Sequence, residues 1–318
     1  MREVPVVISS RAGRTGECEE QIRSAFGAHG LSPSFRMLEQ GDDLRELVKN
    51  AMKEGHRTVV VAGGDGSLHS AAGELAGSEA ALGILPLGTF NHFAKDLGVP
   101  LGLDEAAGVI AAGATRRVDV GEANGQVFLN NASVGFYPRV VRAREGLRER
   151  LGKGKWTAFA QAAWHTLSRY RMLTARLSVD GREHVRRTPF VFIGNNPYDM
   201  DRLVIGRRNA LEQGVLSLYM ARREGPLSLI ALALRALTGR LRQAADFESY
   251  TARTLRVETP RGRELVSLDG EVLTMDMPLV CRIVPRALRV VVPALSEGVA
   301  GDLAEAISAV PSGTASRE

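Results

Sequence analysis

The sequence predicts a doubly wound α/β layer followed by a second, antiparallel region of short strands. Three observations carry this expectation. Apolar β-branched runs alternate with helix-period segments over the first hundred residues. A glycine-rich turn at Gly63–Ser67 joins one of those strands to a helix. After about Arg117 the helical rhythm gives way to short strands punctuated by Asn-Gly and Asp-Gly pairs, which are hairpin signals.

Val4–Ser9 is a short apolar strand, and Glu17–Ala28 places Cys18, Ile22, Ala25 and Phe26 on one helical face. Phe35–Leu38 reads as a second strand. Asp43-x-x-Glu46 is a capping box that opens a helix with Leu44, Leu47, Val48, Ala51 and Met52 inward. Thr58–Ala62 is a continuous apolar strand of the kind a sheet covered on both faces needs. A helix over Leu68–Leu75, a strand over Leu82–Leu85 and a helix over Asp104–Ala112, closed by Gly113, complete the layer.

Beyond it, Val118–Val120, Val127–Asn131, Leu173–Val179, Pro189–Gly194, Val215–Met220, Thr254–Thr259, Glu264–Leu268 and Leu279–Val284 read as strands. Asn124-Gly125, Asp180-Gly181 and Asp269-Gly270 supply turns. Helical insertions are expected over Trp156–Arg169 and Leu227–Ala244. Leu288–Val292 is apolar enough to return to the first layer, and Ala294–Glu318 reads as a frayed tail. The expected division is residues 1–117 with a return segment 286–302, then 118–285, then a tail 303–318.

The bulk properties narrow the function. A 318-residue chain with 44% hydrophobic and 24% charged residues is an ordinary folded protein, long enough for two cores. Cys18 and Cys281 lie far apart without metal-ligand spacing, which points to a reducing compartment. The N-terminus has no long apolar stretch of a signal peptide, and Leu227–Leu237 is interrupted by Arg235 and too short to span a bilayer. The expected location is therefore cytoplasmic. A net charge of +5 and a pI near 9.5 suit an anionic partner: nucleotide, nucleic acid or acidic lipid.

Chemistry concentrates in Val59–Leu75, where an apolar strand runs into Gly63-Gly64-Asp65-Gly66-Ser67 and then a helix. Glycines at such a turn let backbone N–H groups approach phosphate, and the helix start adds positive potential. A carboxylate there, Asp65, suits holding Mg²⁺ against a nucleotide or orienting a hydroxyl nucleophile. By itself the turn is also what any α/β protein needs. It is neither a Walker loop nor G-x-G-x-x-G, since His69 stands where the third glycine would be. A second loop follows the next strand, Pro86-Leu87-Gly88-Thr89-Phe90-Asn91-His92-Phe93-Ala94. Gly88 and Thr89 can offer an N–H and a hydroxyl to phosphate, and Asn91 can cap a helix or hold a nucleotide edge. Two such loops at neighbouring strand ends would line one crevice.

GGDGSLHSAAGEL followed by LPLGTFNHFAKDLG, with a late Asp269-Gly270-Glu271 turn, resembles the diacylglycerol kinase catalytic-domain family of soluble lipid kinases, which includes sphingosine and ceramide kinases. The resemblance covers nearly the whole chain. It implies an N-terminal domain like those of NAD kinase and phosphofructokinase and a C-terminal β-sandwich. It also implies transfer of the γ-phosphate from ATP, with Mg²⁺, to a lipid hydroxyl entering between the domains. ATP would lie against Ser9, Gly13, Gly63, Gly64, Asp65, Gly66, Ser67, Gly88, Thr89 and Asn91. Glu271 and Asp65 are the implied catalytic carboxylates, with Asp65 also the implied metal ligand. The chain departs from the family pattern at several points. Ser9-Ser10-Arg11-Ala12-Gly13 stands in place of N-P-x-S-G, Ser67 in place of Thr, Ser70 in place of Glu, and His92 in place of Asp. Glu212-Gln213-Gly214 replaces the Asp-Gly associated with a structural Mg²⁺, so no such site is expected.

Basic residues cluster from Arg139 to Lys155 beside Trp156, and Arg235, Arg240 and Arg242 accompany an apolar helical face. Both segments fit a peripheral protein on an anionic membrane, and equally a solvated surface over packed helices. No nucleic-acid partner is expected, and a homodimer is compatible with the sequence. A soluble-substrate kinase on the NAD kinase-like fold and a catalytically inactive nucleotide- or lipid-binding protein are the alternatives.

Overall fold

The computed structural model describes residues 1–9, 15–38, 43–139, 141–142, 172–198, 208, 210–221 and 247–294. The expected helical insertions, most of the basic segment after Arg139, the first-loop glycine Gly13 and the tail lie outside these residues.

The chain opens with β1 (Arg2–Ile8), α1 (Thr15–Ala28), β2 (Leu31–Met37), α2 (Leu44–Lys53), β3 (Thr58–Gly63), α3 (Asp65–Leu75), β4 (Ala81–Pro86), α4 (His92–Asp96) and α5 (Leu103–Ala112). The strands run parallel in the order β2-β1-β3-β4. Their apolar residues, Val6, Val7, Val59–Ala62, Leu82, Ile84 and Leu85, are all buried because helices cover the sheet. α1 packs with α5, and α2 with α3. Asp43 caps α2, its carboxylate accepting from the N–H of Arg45, as the capping signal predicts.

The second region comprises β5 (Thr115–Ala123), β6 (Gln126–Phe128), β7 (Asn131–Gly135), β8 (Leu173–Val179), β9 (Arg182–Thr188), β10 (Phe190–Asn195), β11 (Leu216–Ala221), β12 (Phe247–Ala252), β13 (Thr254–Glu258), β14 (Arg263–Leu268), β15 (Glu271–Asp276) and β16 (Leu279–Val291). An antiparallel sheet β12-β11-β10-β7-β14-β15 faces β13 and β8 across one apolar core. Ala132, Val134, Ile193 and Leu218 meet Ala175, Leu177, Leu255 and Val257 there. This is a β-sandwich.

β16 ties the two regions together. It pairs antiparallel with β13 and β5, shifts register between Val284 and Leu288, and then lies parallel to β4. Leu288–Val292 thus returns to the first sheet. All three expected turns put both residues in the left-handed region: Asn124-Gly125, Asp180-Gly181 and Asp269-Gly270. The strands that periodicity misses are β9, β12, β15 and nearly all of β7, since the strand expected over Val127–Asn131 ends at Phe128 and a new one begins at Asn131. β9 reads REHVRRT, an edge strand with mostly exposed side chains and too little apolar alternation to announce itself.

Candidate active site

The two glycine loops meet backbone to backbone. A Cβ placed on Gly64 would come 3.1 Å from the Gly88 Cα, and one on Gly88 would come 2.5 Å from the Gly64 Cα and 2.6 Å from the Asn91 Oδ1. Only glycine lets β3 and β4 deliver their loops this close. Asn91 holds the second loop from within. Its buried side chain accepts from the Gly88 N–H at 3.0 Å and donates to the Gly88 carbonyl at 2.8 Å and, more weakly, to the Pro86 carbonyl at 3.4 Å. Asn91 adopts φ 51°, a left-handed conformation that asparagine tolerates better than most residues. Its amide is spent on the loop, while Thr89 beside it stays exposed.

α3 starts at this junction with Gly64 as N-cap and no side chain capping it. The N–H groups of Asp65, Gly66 and Ser67 therefore have no intrahelical partner and point out of the helix start. Ser67 and Ser9 flank Gly63: a Cβ on Gly63 would lie 2.6 Å from the Ser67 Oγ and 3.5 Å from the Ser9 Cβ. Asp65 reaches across to the second loop, its Oδ1 accepting the Phe93 N–H at 3.2 Å. One carboxylate thus links the first turn of α3 to that of α4.

The Asp269-Gly270-Glu271 turn divides its two carboxylates between opposite tasks. Glu271 is exposed and borders a cleft of about 650 Å³ that Asp43, Arg45, Ser70, Gln126 and Thr274 also line. Asp269 turns inward, with its side chain only 1% exposed. It accepts the N–H groups of Leu129 at 2.7 Å, Asn130 at 2.7 Å and Asn131 at 3.0 Å. It also meets the Nδ1 of His69, in α3, at 2.8 Å. Burial alone would push the Asp269 carboxyl up, but the His69 hydrogen bond and charge, with the backbone donors, hold it below the usual carboxylate value. Burial likewise pushes the His69 imidazole down, yet Asp269, aided by Glu271, outweighs it and raises His69 above its ordinary value. An ionised Asp269 can only accept, so His69 carries its hydrogen on Nδ1. Its Nε2 then faces Glu271, 4.0 Å from Oε2.

The carbonyl side of the same 129–131 segment is held as firmly. Arg208 donates to Leu129 O at 2.6 Å, Asn195 O at 3.1 Å and Asn130 Oδ1 at 2.9 Å. The Asn195 Nδ2 donates to Leu129 O, and the Tyr198 hydroxyl to Asn130 O. Arg208, fully buried, also pairs with Asp96 at the end of α4 at 2.8 Å. Each helix that begins at a glycine loop is therefore fastened to the second domain by a buried ion pair, α3 through His69–Asp269 and α4 through Asp96–Arg208.

Of the residues singled out from sequence, Ser9, Gly63 and Ser67 form one group, and Gly64, Gly88 and Asn91 another, with Asp65 bridging toward α4. Gly66 and Thr89 are exposed beside them, Glu271 stands at the cleft, and Gly13 is outside the described residues. Sequence reasoning missed Asp269 as an organiser, His69 as its partner and Arg208 as the second clasp. One signal was present: His69 lies four residues after Asp65, on the same helical face. Among the described residues no group of three metal-ligating side chains is found.

Comparisons with known proteins agree with this architecture. Residues 4–123 match the family described as "Diacylglycerol kinase catalytic domain", and residues 130–292 match "YegS C-terminal NAD kinase beta sandwich-like domain". A protein of Pseudomonas aeruginosa named "Probable lipid kinase YegS-like" is 31% identical over 282 residues, 86% of this chain and 90% of that protein. One of the same name from Pseudomonas savastanoi pv. phaseolicola is 41% identical over 139 residues, 42% of this chain and 45% of that protein. The fold is shared with a crystal structure of a diacylglycerol kinase from Bacillus anthracis, at TM-score 0.69 and 22% identity over 92% of this chain and 97% of that one. With the glycine loops meeting at the mouth of a doubly wound sheet and a β-sandwich clasped onto it, the chain belongs to the lipid-kinase family that joins a diacylglycerol kinase catalytic domain to a YegS-type C-terminal domain.

Proposed function

We propose that this protein transfers the γ-phosphate of ATP to the hydroxyl of a lipid, diacylglycerol-like or sphingoid, at a membrane surface. The observation that carries the reading is the contact of Gly64 with Gly88, which places two side-chain-free loops and an uncapped helix start side by side. The cradle suits a polyphosphate: glycine keeps the two touching loops free of side chains, and the free N–H groups of Asp65, Gly66 and Ser67 can donate to anionic oxygens. Ser9, Ser67 and Thr89 add hydroxyls at its rim. Asn91 contributes indirectly, by fixing the Gly88 backbone. Mg²⁺, held by Asp65 together with nucleotide oxygens, would neutralise charge on the phosphates.

Glu271 is the candidate base. It is exposed at a cleft bounded by both domains, where a lipid hydroxyl can enter from outside while its tail stays in the bilayer. A carboxylate there accepts the hydroxyl proton as the phosphoryl group moves, and positioning by the two loops supplies much of the rate. Among the described residues no helix is long and apolar enough to cross a membrane. The test is transfer of labelled γ-phosphate from Mg·ATP to a panel of lipids in mixed micelles, with Asp65→Asn as control. Asparagine keeps an acceptor for the Phe93 N–H, so the fold should persist while labelled lipid is lost. ATP binding with no labelled lipid from any acceptor would overturn the proposal in favour of a soluble acceptor or a binding protein.

A further inference from the structure

Asp269 and Glu271 stand two residues apart on a hairpin turn, yet both face one imidazole from the other domain. The turn lies 200 residues from His69 in sequence, and the side chains of His69 and Asp269 are 3% and 1% exposed. A histidine buried at this depth with one nitrogen committed to a carboxylate has a fixed ring plane. Its second nitrogen is therefore aimed, and it is aimed at Glu271. Glu271 itself is 55% exposed, and among the described residues its carboxylate accepts no hydrogen bond. A rotation of its flexible side chain by less than an ångström or so brings Oε2 from 4.0 Å into hydrogen-bond range of Nε2.

We infer that His69 is a positioning residue for Glu271: Asp269 fixes the imidazole through Nδ1, and Nε2–H steadies the Glu271 carboxylate at the cleft. This rests on the proposed role of Glu271 as base. It gives α3 two tasks at once. The first turn of the helix presents N–H groups to phosphate, and one turn later the same helix orients the carboxylate facing the acceptor. The relative placement of donor and acceptor would thus be set by one rigid element.

The groups facing His69 are Asp269 from the β14–β15 turn, Glu271 from β15, and Arg45 from α2, whose charge opposes protonation. Nε2 donates to a carboxylate only while the ring is a cation. Once that proton is lost, Nε2 presents a lone pair to Glu271 and the contact becomes repulsive. Activity should therefore fall on the alkaline side as His69 loses its proton, above the ordinary histidine value of about 6.5.

The experiment has three arms on the full-length protein. The first is nitrogen-15 NMR of the histidines in wild type and Glu271→Gln, without ligand. The Nδ1–H tautomer is expected, with a titration above 6.5 that moves down when Glu271 is neutralised. An unchanged titration overturns the inference whatever the activity. The second is kcat against pH for wild type and His69→Gln, assayed with whichever lipid of the panel accepts phosphate. Loss of the alkaline limb and a fall in kcat of about tenfold or more, with KM for ATP unchanged, is expected. A parallel profile with the limb retained overturns it. The third is the double variant His69→Gln/Glu271→Gln, which should be no slower than Glu271→Gln alone. An additive loss would mean His69 acts independently of Glu271. If instead Glu271→Gln retains wild-type kcat, it is the base assignment that fails, an outcome the NMR arm reads separately. Thermal melts accompany each variant, and His69→Asn replaces His69→Gln if the latter does not fold.

Discussion

Gly88→Ala is the most revealing single change in the fold. The added Cβ would sit 2.5 Å from the Gly64 Cα and 2.6 Å from the Asn91 Oδ1, where ordinary carbon contacts need about 3.5–4.0 Å. Neither neighbour can step aside cheaply. Gly64 is backbone at the start of α3, and Asn91 is fixed by three hydrogen bonds. The two loops must part by about 1 Å, at an overpacking cost of roughly 1–3 kcal/mol. Misplacement on that scale typically costs about 10²-fold in rate. The assay is kcat/KM for ATP-dependent lipid phosphorylation, alongside ATP affinity by calorimetry and a thermal melt. Gly73→Ala serves as control: Gly73 lies in the same helix, exposed, and a Cβ there meets nothing within 4 Å. It should retain activity and gain about 0.5–1 kcal/mol from reduced backbone freedom in the unfolded chain. Wild-type ATP affinity and kcat/KM in Gly88→Ala would refute the claim that loop contact shapes the nucleotide site.

Other consequences follow from the clasp and the core. Arg208→Ala removes the partner of the Asp96 carboxylate and the guanidinium donor to Asn195 O and Asn130 Oδ1, leaving Leu129 O with Asn195 Nδ2 alone, and should cost about 3–5 kcal/mol in a denaturant melt, with Asp96→Asn in the same chain recovering part of it. The His69–Asp269 pair makes stability pH-dependent in a defined window. The raised His69 contributes fully below about 6.5 and loses its contribution as pH rises through its folded value. The lowered Asp269 contributes fully above about 3.9 and loses it as pH falls through its folded value. The gap in melting temperature between wild type and His69→Gln should therefore be widest between about pH 4 and 6.5 and narrow on either side. Cys281 is fully buried, and burial pushes its thiol up to about 12, whereas Cys18 is half-buried on α1. Iodoacetamide should modify one thiol per native chain and two after denaturation, with the native adduct on Cys18.

Much of this site could be read from residue order because its chemistry is local. Gly63–Ser67 and Gly88–Asn91 each sit in a single strand-to-helix turn, and glycine at a turn is visible without knowing what it touches. Asn124-Gly125, Asp180-Gly181 and Asp269-Gly270 announce hairpins for the same reason, since their backbone demands are met within two residues. What stayed hidden depends on neighbours far apart in sequence. Asp269 contacts Leu129, some 140 residues away, and His69, 200 away. In sequence its carboxylate looks like the solvated member of a turn. Arg208 looks like one basic residue among many, until its guanidinium is seen buried against Asp96, 112 residues earlier. Asn91 illustrates a partial reading: the sequence marks it as a helix cap or nucleotide contact, and the structure adds its hydrogen bonds to the Gly88 and Pro86 backbone, which residue order does not show.

The measurement that bears most directly on the account is the rate of lipid phosphorylation by Glu271→Gln, with ATP affinity measured on the same preparation. Glu271 is exposed and its removal leaves the Asp269 clasp in place, so the variant should fold and bind ATP as wild type does. Loss of a positioned base predicts a fall in kcat of about 10²–10⁴-fold. A Glu271→Gln enzyme that phosphorylates lipid at the wild-type rate would contradict the assignment of that carboxylate, and with it the cleft it borders as the place where the acceptor reacts.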